Sequence, residues 1–262
     1  MLSAMRRFFL PKPDSAIVQR HHLTADTWPD ALFVIGDVHG CLSQLLDLEA
    51  RIVADAAALP SKWIVLLGDY VDRGPDSAAV LDHLVAKQPD GFVRVCLAGN
   101  HETMMLAYFD NPSGDDSWLQ LGGDQTLLSY GIDADEMRHH ATTSARRRQI
   151  LDAHVPSSHI DFLRALPVTC SVGNVVCVHA GLVPGIPTQQ QKEADMLWMR
   201  YRPDTDASPD DDRIVVHGHT PTSVPLMLPH RIAIDTGAFA TGVLSAVHLD
   251  ASGNRMLLQT TP

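Results

Sequence analysis

Apolar positions along the chain come in short, nearly continuous runs: Ala31–Ile35, Trp63–Leu67, Phe92–Leu97, Val175–Val178 and Ile214–Val216. Each has the length and β-branched character of a buried strand, and each breaks off in a cluster of Gly, Asp, Asn or His. Between the first two runs, Leu42, Leu45, Leu46, Ile52 and Val53 keep helical spacing. Between the second and third, Pro75 is expected to open a helix carrying Val80, Leu81, Leu84 and Val85. The first hundred residues therefore read β-α-β-α-β. That alternation predicts parallel strands with helical crossovers, whose polar carboxyl ends converge on one crevice. From about Thr103 to Leu166 the pattern turns helical and polar, and from Val168 onward it is strand-rich again, with runs at Arg231–Asp235 and Gly242–Leu249.

No repeat of fixed period and no Pro/Ser-rich linker divides the chain, so residues 1–262 are read as a single domain, with a core over about 31–250 and a helical cap over about 103–166. Pro203–Asp212, with five aspartates and two prolines, reads as an exposed mobile loop. Arg146-Arg147-Arg148 reads as a solvated helix face.

Charge and cysteine usage narrow the class. A net charge of −11 repels polyanions, so nucleic acid is not an expected partner. The four cysteines, Cys41, Cys96, Cys170 and Cys177, lie in or beside apolar runs without a Cys-x-x-Cys pair, as reduced core thiols do. No apolar stretch is long enough for a membrane span, and Met5–Leu10 is too short an apolar segment for a signal peptide. A soluble, cytoplasmic protein with no membrane partner is the expectation.

The chemistry sits where the strands end. The first run ends in Gly36-Asp-Val-His-Gly40, the second in Gly68-Asp-Tyr-Val-Asp-Arg-Gly74, the third in Gly99-Asn-His-Glu102, the fourth in His179-Ala-Gly181 and the fifth in His217-Gly-His-Thr220. Taken singly, each has an ordinary explanation as a turn or a hydrogen-bonded core histidine. Five successive strands ending this way place carboxylate, imidazole and amide groups at one topological edge. Oxygen and imidazole donors without thiolate fit divalent Mn, Fe or Zn, and six protein ligands exceed what one open catalytic site uses, so two ions fit the count. Two ions sharing a carboxylate and an activated water are the apparatus of phosphate ester hydrolysis.

In this order the five motifs resemble the phosphoprotein phosphatase family of calcineurin-like metallophosphoesterases, most closely its bacterial and phage serine/threonine phosphatase branch, over about Val34 to Ala238. The resemblance implies an α/β fold, an αββα sandwich of two mixed β-sheets flanked by helices. It implies two divalent metal ions, Mn2+ foremost with Fe or Zn2+ as alternatives, one held by Asp37 and His39 and the other by Asn100, His179 and His219, with Asp69 bridging them. His217, two residues before His219, is either a metal or substrate contact or a strand-end neighbour. The resemblance makes His101 the general acid, with Asp72 as its orienting partner. It implies Arg73 and Arg200 as phosphate-binding arginines, Arg202 rivalling Arg200 and Asn100 adding an amide contact. Asp235 either orients a metal-bound histidine or forms a turn. The implied reaction is one-step phosphomonoester hydrolysis, a bridging hydroxide attacking phosphorus in line. The expected substrate is a phosphorylated protein or peptide at serine or threonine, a choice leaning on the Glu of Gly99-Asn-His-Glu102. The alternatives are a phosphotyrosine phosphatase, a symmetrical dinucleoside polyphosphate hydrolase and, remotely, an inactive phosphoprotein-binding module.

Overall fold

A computed structural model of the chain describes residues 20–112, 116–202, 205–206 and 212–261. Met5–Leu10 and most of Pro203–Asp212 lie outside the described residues, and the mobile-loop expectation lies there with them.

In chain order the strands are β1 (His22–Ala25), β2 (Ala31–Ile35), β3 (Lys62–Leu66), β4 (Phe92–Cys96), β5 (Thr169–Val172), β6 (Val175–Val178), β7 (Ile214–His217), β8 (Leu226–Met227), β9 (Arg231–Ala233), β10 (Ser245–Leu249) and β11 (Arg255–Gln259). The helices are α1 (Leu42–Asp55), α2 (Ser77–Val85), α3 (Asn100–Asp110), α4 (Asp124–Ser129), α5 (Ala134–His140), α6 (Ser144–His154), α7 (Ser157–Ala165), α8 (Glu193–Trp198) and α9 (Ala238–Thr241). One sheet runs β11-β10-β2-β3-β4 and the other β1-β5-β6-β7-β9-β8. Both are mixed: β2, β3 and β4 pair in parallel while β10 runs antiparallel to β2, and β6, β7 and β9 pair in parallel while β5 and β8 are antiparallel neighbours.

Strand alternation builds the layers. On β2, Leu32 and Val34 pack with Val65, Leu67, Cys170, Val172, Cys177, Val216 and Ile232, the apolar layer between the two sheets. The intervening Ala31, Phe33 and Ile35 face the other way and pack with Leu45, Leu48 and Ile52 of α1 and with Val80 and Leu81 of α2. Leu45, Leu48 and Ile52 recur at the spacing that lays one helix face on a sheet. The result is two mixed sheets face to face with helices outside. Helix α2 begins at Ser77 rather than at Pro75, because Asp76 N donates to Gly40 O at 3.0 Å and ties the turn back to the first motif. Between Thr103 and Leu166 the chain is helical as expected, but Arg147 turns inward, donating to Ala141 O and pairing with Asp116.

Candidate metal-dependent active site

The five motifs leave the carboxyl ends of β2, β3 and β4 in one sheet and of β6 and β7 in the other, so the crevice forms where the two sheets abut. Backbone bonds stitch the strand ends together. Val38 N and His39 N both donate to Asp69 O (3.1 and 2.7 Å), and Gly218 N donates to His179 O (2.8 Å). Among the described residues, the non-glycine positions with positive φ are His39, Asp69, Asp72, Arg73 and His219, at 43–74°. Each such backbone costs about 1–3 kcal/mol and persists only where surrounding contacts enforce it. All five belong to the motifs.

Asp69 is the hub. His101 N donates to its Oδ1 at 3.0 Å, while its Oδ2 lies 3.5 Å from His39 Nε2 and 3.4 Å from His179 Nε2. Two sets of side chains compact enough to hold a metal ion share this carboxylate, His39–Asp69–His101 and Asp69–His179–His219, and all five residues are buried. Asn100 Oδ1 and His219 Nδ1 stand 2.9 and 3.2 Å from His179 Nε2, so the second set includes the amide. Asp37 is outside both sets. Its carboxylate accepts from His219 N at 3.0 Å, and it is paired with Asp235 rather than with a histidine.

The donor atoms fit cations. His39 Nδ1 donates to Val71 O at 2.8 Å and His179 Nδ1 to Leu67 O at 3.0 Å. A carbonyl only accepts, so the proton resides on Nδ1 and Nε2 presents a bare lone pair towards Asp69. Burial lowers the pKa of both rings, that of His39 to about 3, and so keeps them neutral. Among the described residues, His219 Nε2 is buried without a hydrogen-bond partner. Burial and mutual repulsion push Asp37 far above the carboxylate range and burial pushes Asp235 up to about 6, as expected where buried acidic groups crowd one another.

His101 lies at the rim of the first set. Its Nδ1 bonds Asp72 Oδ2 at 2.6 Å, and Arg73 Nη2 donates to its Nε2 at 3.1 Å. A guanidinium on that nitrogen occupies the lone pair a metal would need, which separates His101 from the ligands. Burial disfavours the imidazolium, yet Asp69 and Asp72 together raise its pKa above the ordinary value. Asp72 is in turn fixed by Trp118 Nε1 on Oδ2 (2.8 Å) and Thr126 Oγ1 on Oδ1 (2.7 Å). Arg73 Cζ also sits 4.9 Å from the Phe239 ring centre. Arg200 donates from Nη1 to Thr220 Oγ1 at 3.3 Å, next to His219 in the chain. Arg202 instead gives its carbonyl to Arg231. His217 faces away, with Nδ1 on Gly218 O (3.0 Å) and Nε2 accepting from Arg231 Nε (3.1 Å), so both ring nitrogens are satisfied away from the cluster.

Glu102, the last residue of the third motif, has a structural part that the sequence did not assign. It is fully buried, with its Oε2 accepting from Asp69 N and Gly99 N (2.8 Å each) and its Oε1 from Tyr70 N (2.7 Å). It shapes the loop that presents Asp69. Sequence reasoning missed this, and it missed Trp118 and Thr126. The available signal was a buried acid immediately after Asn100-His101, and a tryptophan opening the segment Trp118–Gly123 within the helical layer.

The sequence profile of the calcineurin-like phosphoesterase family matches residues 31–242. The chain is 25% identical over 233 residues, 81% of its own length and 86% of the relative's, to an asymmetrical bis(5'-nucleosyl)-tetraphosphatase of Oceanobacillus iheyensis. It is 29% identical over 163 residues, 62% of its length and 48% of the relative's, to a symmetrical bis(5'-nucleosyl)-tetraphosphatase of Dechloromonas aromatica. Among solved structures it superposes with a TM-score of 0.61 and 22% identity on one provisionally named a diadenosine tetraphosphatase, covering 92% of this chain and 98% of that one. The cold-active protein-tyrosine phosphatase of a psychrophilic Shewanella gives 0.58 and 19%, covering 91% and 82%. The two likenesses of structure speak to the fold, whereas the profile spans most of the chain: it belongs to the calcineurin-like phosphoesterase family.

Proposed function

We propose that the protein is a two-metal hydrolase of dinucleoside polyphosphates, cleaving a P–O bond of the bridging phosphate chain. The observation that carries the hydrolase reading is Asp69 Oδ2 standing 3.5 and 3.4 Å from the Nε2 atoms of His39 and His179, one from each metal-competent set. Substrate class rests on the relatives named for bis(5'-nucleosyl) tetraphosphates, which match over most of the chain. Cavities of about 450 and 340 Å³ lie against the helical layer, around Pro156 and around Phe162, and not at the motif residues.

His39 and Asp69 would hold one divalent ion, joined by Asp37 if its carboxylate leaves Asp235, and Asp69, Asn100, His179 and His219 would hold the other. When bound, such ions supply a water acidic enough to ionise near neutral pH and charge to stabilise the phosphoryl oxygens. The chain does the rest. Arg73 and Arg200 bind phosphoryl oxygens that need bidentate donors. A substrate phosphate is a stronger acceptor than an imidazole nitrogen, so it draws Arg73 off His101 Nε2. That nitrogen then carries a proton, which Asp72 and Asp69 stabilise and which passes to the departing oxygen. A terminal phosphate leaves as a far weaker base than an alkoxide, so this proton matters less for a polyphosphate than for an alkyl ester.

The test is a panel of diadenosine tetraphosphate and phosphoserine, phosphothreonine and phosphotyrosine peptides with the Mn2+-loaded protein. Fastest turnover of the dinucleotide is expected, and the ratio of ADP to ATP plus AMP identifies the bond cut. Preference for any phosphopeptide would overturn the substrate assignment.

A further inference from the structure

Most side chains of the crevice are buried, but two aromatic rings at its border are not. Phe239, on α9, is 40% exposed and stands edge-on to His39, with centroids 5.4 Å apart and planes at 83°. Trp198, the last residue of α8, is 37% exposed and stands edge-on to His219, at 6.3 Å and 81°. His39 and His219 belong to different metal-competent sets, joined only through Asp69. Each ring is therefore tied to its own half of the centre. Arginines are near both: Arg73 lies 4.9 Å from the Phe239 ring, and Arg200, two residues beyond Trp198 in sequence, donates to Thr220, the residue after His219.

Resting on the dinucleotide reading above, we infer that Phe239 and Trp198 are two nucleobase platforms, one for each end of the substrate. On either side of Asp69 a histidine of the centre has an exposed aromatic ring standing edge-on to it, so each half has a ring at hand for the base that follows the phosphates on that side. Stacking on an aromatic face binds any base, because every base has a π-face. Uncharged contacts of this kind matter here, since a chain of net charge −11 opposes the approach of a tetraphosphate. The rings give binding and little base selectivity, so diguanosine and diadenosine tetraphosphates are expected to be turned over with similar KM.

The experiment measures KM for diadenosine tetraphosphate and the inhibition constant of pyrophosphate, a competitor without bases, for the wild-type protein and for Phe239→Ala, Trp198→Ala, Phe239→Tyr and Trp198→Phe, all Mn2+-loaded. Each alanine variant is expected to raise KM about tenfold while the pyrophosphate constant holds within about twofold, and each aromatic replacement to stay near wild type. Unchanged KM in the alanine variants of an enzyme that does cleave the dinucleotide overturns the platforms and leaves the proposed function standing. A parallel rise in the pyrophosphate constant also overturns them, because the rings would then act through the arginines. If the wild-type protein does not cleave the dinucleotide, the proposed function fails and the platforms fail with it.

Discussion

His101 shows how much of the chemistry one side chain's neighbours decide. Its Nδ1 is tied to Asp72 at 2.6 Å, and its pKa is raised by Asp69 and Asp72 against the effect of burial. A raised pKa means the acid form survives to a higher pH than free imidazole allows and is lost as pH rises through the shifted value. The basic limb of kcat/KM for phenyl phosphate should accordingly lie above 6.5, the ordinary imidazole value, and move down in Asp72→Asn. Substituting His101→Asn should lower kcat for that ester by roughly 10²–10⁴-fold, and for diadenosine tetraphosphate by much less, since its leaving group needs less protonation. Equal losses on the two substrates would remove His101 from the acid role. The residues in this dyad were readable in the sequence because Asp72 and His101 sit inside strand-end motifs. Trp118 and Thr126, which hold Asp72 from the helical layer, were not, since nothing in their local pattern reports a partner some fifty residues away.

At the scale of the element, loops do the positioning. Strands β2, β3, β6 and β7 were legible as apolar runs, within a residue or so, because burial on both faces leaves a continuous signal. Edge strands β1, β8 and β11 were not, because a half-exposed short strand carries neither a continuous run nor a clean alternation. Legibility also failed for Glu102: its backbone hydrogen bonds to the loop of Asp69 depend on close approach of two strand ends, which no spacing encodes. Replacing Glu102→Gln puts an amide N–H against backbone N–H donors. We expect a loss of about 1–3 kcal/mol in chemical denaturation, the cost of a buried group left unsatisfied. Gly218 presents a sharper case. A Cβ there would sit 1.9 Å from Asp37 Oδ1, so Gly218→Ala must displace the carboxylate. Weakened metal binding with unchanged far-ultraviolet circular dichroism is the expected result, read by calorimetric titration with Mn2+.

Across the whole molecule, the centre exists because two sheets bring separate strand ends to one place. Asp37, Asp69 and Asn100 follow β2, β3 and β4, whereas His179 and His219 follow β6 and β7 of the other sheet. Crowding the buried carboxylates Asp37, Asp69 and Asp235 works against the fold unless positive charge is supplied, as the raised pKa values of Asp37 and Asp235 express. Bound ions should thus stabilise the native state, by about 4 kcal/mol at a thousandfold excess over Kd. Chelation should lower the thermal midpoint by roughly 10 °C, and Mn2+ should restore it. Among the described residues no helix is long and apolar enough to cross a membrane. The central claim is a pair of metal sites joined through Asp69, and metal stoichiometry tests it most directly. Mass-spectrometric metal analysis after equilibration with Mn2+ and desalting should find two ions per wild-type chain and neither in Asp69→Asn. One ion or none in the wild type, or a full pair retained without the Asp69 carboxylate, would contradict it.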